Sequence, residues 1–185
     1  MNIYIVRHGQ TDSNIIKNRF GGRVDVLLND VGREEAREVK RNLDGITFDR
    51  VYSSPLKRAL ETAQIISDGN IIIDDRLIER SNGDLEGRIW SEITDKIDFS
   101  NEEFIKKYNI EPDDQIINRV DSFFDEISNL EECQNILVVT HAGTGMYARR
   151  YFEGEPENGD IKSYKLKNCE ILTYSVENKI YKKKC

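Results

Sequence analysis

The chain has 185 residues, with 27 lysine and arginine residues against 34 aspartate and glutamate residues, so its formal net charge is −7. An acidic chain is a poor match for a nucleic-acid-binding protein or for a peripheral protein of anionic membranes, because both need a basic surface. A hydrophobic fraction of 38% beside a charged fraction of 33% is typical of a folded domain with a charged surface. The length suits one domain, which we expect to span residues 1–185.

The cysteines and the apolar runs bear on the cellular setting. No apolar run reaches the ~20 residues that cross a membrane, and the chain starts with a strand-like run rather than with a signal-peptide pattern. Three widely spaced cysteines without a CxxC pair predict neither a disulfide framework nor a zinc knuckle. We therefore expect a cytoplasmic protein that binds neither membranes nor nucleic acids. The sequence indicates nothing about its oligomeric state.

Predicted strands alternate with predicted helices along the chain. In chain order we expect a strand (2–6), a helix (29–43), a strand (50–53), a helix (56–67), a strand (70–73), two short helices (89–97 and 102–108), a long amphipathic helix (113–130), a strand (135–140), a helix (143–151) and a terminal hairpin (169–175 with 179–183). This alternation predicts an α/β fold. We expect a three-layer sandwich with a mostly parallel central sheet flanked by helices, and an antiparallel hairpin at its C-terminal edge.

The two histidines of the chain occupy equivalent places. Each follows an apolar strand and precedes a small residue, since His8 stands before Gly9 and His141 before Ala142. Ligands of such sheets bind beyond the carboxyl ends of the strands, so we expect both imidazoles to face one crevice. Arg7 directly precedes the first histidine. Because a guanidinium suits phosphate or carboxylate oxygens and opposes a metal cation, we expect an anion site without a metal.

Five sequence motifs occur in a fixed order around these histidines. They are IVRHGQTDSN (5–14), NRFGG (18–22), SSPLKRALETA (53–63), LIERSNGDLEG (77–87) and THAG (140–143). Together they resemble the signature of the histidine phosphatase superfamily, in its phosphoglycerate mutase-like branch 1. A single RHG tripeptide would be weak evidence, whereas the ordered set extends along most of the chain.

The resemblance implies a mechanism through a phosphohistidine. His8 would be the nucleophile, and a neutral imidazole is competent for this because its reference pKa is about 6.5. Arg7, Arg58 and His141 would surround the transferring phosphoryl oxygens. Positioning and charge neutralisation are most of what phosphoryl transfer needs, so we expect neither a metal nor another cofactor. Glu79 would protonate the leaving oxygen and then activate water.

Four more residues correspond to the substrate-binding positions of the family: Asn14, Gly21, Gly22 and Ala142. Asn14 either hydrogen-bonds the phosphate or holds the first loop. The two glycines either offer backbone N–H donors to the substrate or form a turn.

A second carboxylate, Glu86, is the rival to Glu79 as the general acid. We favour Glu79 because it follows the strand-like run 76–78 and matches the L-x-E position of the family. The alternative role for Glu86 is that of a carboxylate that supports the site just before Gly87.

Members of the family divide into phosphatases and cofactor-dependent phosphoglycerate mutases. The mutases carry a tyrosine three positions beyond the acid, where this chain has Asn82, and an Arg-Arg pair before a proline-rich stretch, which is absent between Glu79 and Asp113. We therefore expect a metal-independent phosphomonoester hydrolase acting on a small phosphorylated metabolite, with the mutase as the alternative. An inactive phosphate-binding scaffold would require a lost nucleophile or arginine, and neither is lost. Ribazole phosphate, sugar phosphates and a broad range of esters are all candidate substrates.

Overall fold

One mixed sheet forms the centre of the molecule. The computed structural model describes residues 1–16, 18–130, 132–177 and 180–183. Within these residues the strands are β1 (Asn2–Arg7), β2 (Arg50–Ser53), β3 (Ile71–Ile73), β4 (Asn135–Thr140), β5 (Ile171–Glu177) and β6 (Ile180–Lys183). Their order is β3-β2-β4-β1-β5-β6; the first four strands in sequence pair in parallel, and β5 pairs antiparallel with β1 and β6. The predicted α/β class and the antiparallel edge are confirmed, while residues 178 and 179, between the two strands of the terminal hairpin, lie outside the described residues.

Helices cover both faces of this sheet. They are α1 (Asp12–Ile15), α2 (Asp30–Asn42), α3 (Lys57–Ile66), α4 (Glu102–Lys107), α5 (Asp113–Ile127) and α6 (Ala142–Glu153). Helices α5 and α6 pack against one face, and α2 and α3 pack against the other, which gives the three expected layers. In the described part of the chain, no helix combines the length and the apolar character that crossing a membrane requires.

Strand β1 shows why the apolar runs are continuous. Ile3 and Ile5 belong to the cluster that contains α5 and α6, whereas Tyr4 and Val6 belong to the cluster under α2 and α3. Successive side chains of a strand point to opposite faces, so a strand covered on both faces carries apolar residues at every position. All four of these side chains are buried.

A further apolar cluster lies apart from the two that cover the sheet. We name it the outer cluster; it consists of Phe20, Leu85, Phe104 and Ile110, each at most 6% exposed. These residues come from the loop after α1, from a short 3₁₀ turn, from α4 and from the loop after α4. The outer cluster therefore anchors segments that contribute no strand to the sheet.

The helix predicted over residues 89–97 is wrong. Only a single 3₁₀ turn, Trp90–Glu92, occurs there. The backbone N–H of Trp90 donates to the carbonyl of Asn18 at 2.7 Å, and the preceding residue forms an isolated bridge with Arg19. These long-range pairings hold Ile89 in an extended backbone conformation (φ −94°, ψ 143°), and the chain is extended again at Ile93 (φ −100°, ψ 117°), so no regular helix forms.

The strand-like run 76–78 is also not a strand. The chain forms a 3₁₀ turn there, Asp75–Leu77. The carboxylate of Asp74 accepts hydrogen bonds from the backbone N–H of Arg76 at 2.9 Å and from its guanidinium at 3.0 Å. A short polar side chain that bonds the backbone two residues ahead favours a turn over an extended strand. Glu79 therefore follows a turn.

Phe124 is fully buried in the cluster under α5 and α6 and contacts the rings of Phe123 and Phe152. We expect Phe124→Ala to lower the free energy of unfolding by about 3–5 kcal/mol, because it removes buried area and leaves a cavity. Urea denaturation measures this change. The control is Val31→Ala on α2, where the side chain is 53% exposed, and it should shift the free energy by less than about 0.5 kcal/mol. Equal losses in the two variants would contradict this account of the core.

Candidate active site

The two histidines lie side by side at the carboxyl ends of neighbouring parallel strands. In the register of β1 with β4, Arg7 pairs with Thr140, so the residue after each strand is a histidine. The backbone N–H of His8 donates to the carbonyl of Thr140 at 2.9 Å. The ring centroids of His8 and His141 are 5.1 Å apart. The structure thus brings together the two imidazoles that the sequence places at separate strand ends.

The hydrogen bonds of His8 determine its tautomer. The Arg58 Nε donates to Nε2 of His8 at 3.2 Å, and a guanidinium has no acceptor, so Nε2 carries the lone pair. Nδ1 then carries the proton and donates to the Gly9 carbonyl at 2.7 Å. Burial, and then the positive charges of Arg58 and Arg7, lower the pKa of His8 well below its usual value. The ring is therefore neutral at neutral pH, with its free nitrogen directed at a cation.

Arg58 is buried among neutral acceptors. Its Nη1 donates to the Val24 carbonyl at 2.7 Å, and its Nη2 donates to the Gly22 carbonyl at 2.8 Å. Arg7 similarly donates through Nη1 to the Leu166 carbonyl at 2.8 Å. Burial lowers the pKa of both arginines, but arginine still remains charged at neutral pH.

These two cations give the site its electrostatic character. Among the described residues, no carboxylate oxygen lies within ion-pair distance of Arg7 or Arg58. Within that same part of the chain, no group of three or more histidine, cysteine or acidic residues is placed to hold a metal ion. Two partly desolvated guanidinium groups without an ion-pair partner form a site for an anion.

His141 is fully buried and stands immediately before α6. Its Nε2 lies 2.6 Å from the Ser54 hydroxyl, while its Nδ1 is buried with no hydrogen-bond partner among the described residues. Burial, and then the charge of Arg58, lower the pKa of this histidine well below its usual value. It is a second neutral imidazole beside the first.

Glu79 is held at the N-terminus of α6. Its Oε2 accepts a hydrogen bond from the backbone N–H of Gly143 at 3.0 Å, and its Oε1 accepts one from Thr144 at 3.0 Å. A Cβ atom at Gly143 would overlap Oε1, which explains why glycine stands two residues after His141. The charge of Glu79 also opposes the effect of burial on the pKa of Arg7. The carboxylate therefore borders the cationic site.

Glu86 has a different environment. Its Oε1 accepts hydrogen bonds from the backbone N–H groups of Arg23 at 2.9 Å and Asn82 at 3.1 Å. A Cβ atom at Gly22, whose φ is +52°, would overlap the same carboxylate. Glu86 thus fastens the loop of residues 18–24 to the segment that follows Glu79. This geometry supports the choice of Glu79 as the acid.

The four expected substrate-binding residues differ in placement. The Oδ1 of Asn14 accepts from the backbone N–H of Thr11 at 3.0 Å and thereby holds the first loop. Gly22 is buried and supports Arg58 through its carbonyl, whereas Gly21 is exposed with open space around it. Ala142 is the first residue of α6, next to His141, and is half-buried.

Sequence reasoning missed several polar residues around the site. Thr62 is fully buried; its hydroxyl accepts from the backbone N–H of Gly9 at 3.1 Å and donates to the Arg58 carbonyl at 2.7 Å. Thr62 and Ser54 lie within the motif 53–63, so their membership in that motif was the available signal. Glu111, a buried carboxylate near Glu79, stands in no recognised motif.

The sequence and the fold both have clear relatives. The chain is 34% identical to phosphoglycerate mutase-like protein 4 of Arabidopsis thaliana, over 76% of this chain and 66% of that protein. It is 29% identical to the adenosylcobalamin/α-ribazole phosphatase of Salmonella typhimurium, over 77% of this chain and 75% of that protein. The structure matches a mutant phosphoserine phosphatase of Entamoeba histolytica in complex with phosphoserine, with a TM-score of 0.78 and 25% identity, over 100% of this chain and 95% of the other.

The model of one protein family also matches nearly the whole sequence. This is the histidine phosphatase superfamily (branch 1), and the match runs over residues 3–182. It includes every residue of the site described above. The chain therefore belongs to branch 1 of the histidine phosphatase superfamily, as the order of its motifs predicted.

Proposed function

We propose that this protein is a metal-independent phosphomonoester hydrolase that acts on small phosphorylated metabolites through a phosphohistidine at His8. One observation carries the proposal: a neutral imidazole has an unprotonated Nε2 that accepts a hydrogen bond from the buried guanidinium of Arg58, and the charge of Arg7 also acts on this ring. This arrangement attracts a dianionic phosphate to an unprotonated nucleophile. The relatives named above as α-ribazole and phosphoserine phosphatases support a small substrate.

The first step transfers the phosphoryl group to the enzyme. The guanidinium of Arg58 releases Nε2 of His8 and turns its N–H group to the phosphate oxygens. The freed lone pair of Nε2 then forms a bond to phosphorus while the bond between phosphorus and the ester oxygen breaks. Arg7, Arg58 and His141 stabilise the charge on the three non-bridging oxygens. Glu79 takes up a proton from solvent or from the monoanionic ester as the substrate binds, and it gives this proton to the leaving alcohol oxygen, so the alcohol departs neutral and Glu79 is again a carboxylate.

The second step releases phosphate. Glu79, now ionised, accepts a proton from a water molecule as the oxygen of that water attacks phosphorus. The bond between phosphorus and Nε2 of His8 breaks, inorganic phosphate leaves and both groups return to their starting states. The position of Glu79 at the start of α6, next to the histidine pair, suits it for both proton transfers.

We place this activity in the cytoplasm. Cys133 and Cys169, the two cysteines among the described residues, form no disulfide, which agrees with a reducing compartment.

We expect His8→Ala to lower turnover of p-nitrophenyl phosphate by at least about 10³-fold, because the variant lacks the imidazole that forms the covalent intermediate. The assay measures phosphate release in the presence of a chelator. The unaltered protein is then assayed with phosphoserine, ribazole phosphate, sugar phosphates and 3-phosphoglycerate. Rapid quenching with a labelled substrate should trap an acid-labile phosphoenzyme in the unaltered protein only. Undiminished turnover in His8→Ala would refute the mechanism.

The choice between the two carboxylates is tested by Glu79→Gln and Glu86→Gln. We expect Glu79→Gln to lower kcat/KM for phosphoserine by about 10²–10⁴-fold, because the amide cannot protonate the leaving oxygen. Glu86→Gln should have a smaller effect, expressed mainly in KM, since that carboxylate holds loops. Steady-state kinetics on the two variants distinguish these outcomes. The reverse ranking would assign the acid to Glu86.

The lowered pKa values of both histidines predict how stability changes with pH. An unfolded imidazole binds a proton below about pH 6.5, whereas the buried rings stay neutral there, so acidification favours the unfolded state. We expect these histidines to make the free energy of unfolding decrease as pH falls below about 6.5. Since the chain has two histidines, imidazole NMR signals report each ring directly. Titration midpoints near the usual value would contradict the described burial.

A further inference from the structure

Glu111 is a buried carboxylate that takes no part in the proposed proton transfers. Its side chain is 8% exposed, and it accepts from Nε of Arg119 at 2.8 Å and from the backbone N–H of Ser81 at 3.1 Å. Nη2 of Arg23 lies 3.1 Å from the same carboxylate. Burial acts to raise the pKa of Glu111, but these partners outweigh it and leave the pKa lowered. Glu111 is therefore ionised at neutral pH.

The partners of this carboxylate also hold the backbone on both sides of Glu79. Nε of Arg23 donates to the carbonyl of Glu79 at 2.9 Å, and Nη1 of Arg119 donates to the carbonyl of Arg76 at 2.6 Å. Ser81, the third partner, follows two residues after the acid. The segment 76–81 is thus held at its beginning and middle by two arginines that pair with Glu111, and near its end by Glu111 itself.

The same network extends toward the phosphate side of the site. Arg23 directly follows Gly22, whose carbonyl accepts from Nη2 of Arg58 at 2.8 Å. One guanidinium therefore connects the segment that carries the acid to the loop that orients a phosphate-binding arginine. Loss of the Glu111 charge would leave two guanidinium groups without this partner, of which Arg119 is 14% exposed.

We propose that Glu111 is a positioning residue that, through Arg119 and Arg23, sets the place of the Glu79 carboxyl group relative to the leaving oxygen. Glu111 itself does not contact the reacting atoms. The inference rests on the proposed function, because it assumes that Glu79 transfers a proton to the leaving group. The role predicts a selective effect on the rate of hydrolysis. Displacement of Glu79 should slow the hydrolysis of esters whose leaving group must be protonated more than that of esters whose leaving group departs as a stable anion.

The test is Glu111→Gln, measured with two substrates. Glutamine keeps the shape of the side chain and an acceptor for Ser81 but has no charge for the two arginines. Phosphoserine has an alcohol leaving group that needs a proton, whereas p-nitrophenyl phosphate releases a stable phenolate. We expect kcat/KM to fall by about 10-fold or more for phosphoserine and by less than about 3-fold for p-nitrophenyl phosphate.

A matched control is Asp121→Asn. Asp121 is a partly buried carboxylate on helix α5, which also carries Arg119, and it pairs with Arg150 of α6 at 3.4 Å, away from the segment 76–81. This variant should leave kcat/KM unchanged for both substrates. If urea denaturation and circular dichroism show that Glu111→Gln does not fold, Arg119→Lys replaces it as the test variant. It keeps the positive charge, loses the paired donors, and carries the same expectation of a selective loss.

The possible outcomes distinguish failure of the positioning role of Glu111 from failure of the proposed phosphatase function. A selective loss on phosphoserine supports the positioning role. An equal loss on both substrates, or no loss on either, overturns it while wild-type turnover and its dependence on His8 leave the proposed function intact. A wild-type protein that hydrolyses neither substrate overturns the proposed function, and the positioning role with it.

Discussion

The hydrogen bond from Arg58 to Nε2 of His8 is the constraint on which the rest of the site depends. Because a guanidinium can only donate, this bond fixes the tautomer of the imidazole and directs its lone pair toward positive charge. The two partners come from α3 and from the end of β1, so the packing of α3 on the sheet places this cation beside the proposed nucleophile. Burying that cation carries a desolvation cost, which the negative charge of a bound phosphate offsets.

The N-terminus of α6 binds a side chain of the protein itself. Free backbone N–H groups at a helix start normally attract anions, and here they come directly after His141. The protein's own carboxylate, Glu79, occupies the N–H groups of Gly143 and Thr144. Glu79 thereby takes two of the N–H groups that would otherwise attract a phosphate at this helix start. The helix start holds the proposed proton-transferring group beside His141.

The features that could be predicted from the sequence are those encoded by local pattern. The apolar runs of β1 and β4 indicated strands, and a histidine after each run indicated a shared crevice. The segment 89–97 could not be predicted in this way, since its backbone pairs with residues about seventy positions earlier. Glu111 was equally unreadable, because an acidic residue before a proline has no spacing that reveals its partners.

The outer cluster gives the segments that contribute no strand to the sheet an apolar core of their own. Phe20, Leu85, Phe104 and Ile110 pack with one another rather than in the two clusters that cover the sheet. Cooperative units with separate cores open with separate free energies, and a small unit opens more easily than the whole molecule unfolds. The segments that these residues anchor can thus exchange amide hydrogens by local opening. Opening of the loop that contains Phe20 would separate Arg58 from the Gly22 and Val24 carbonyls, while His8 and Arg7, at the end of β1, would stay with the sheet.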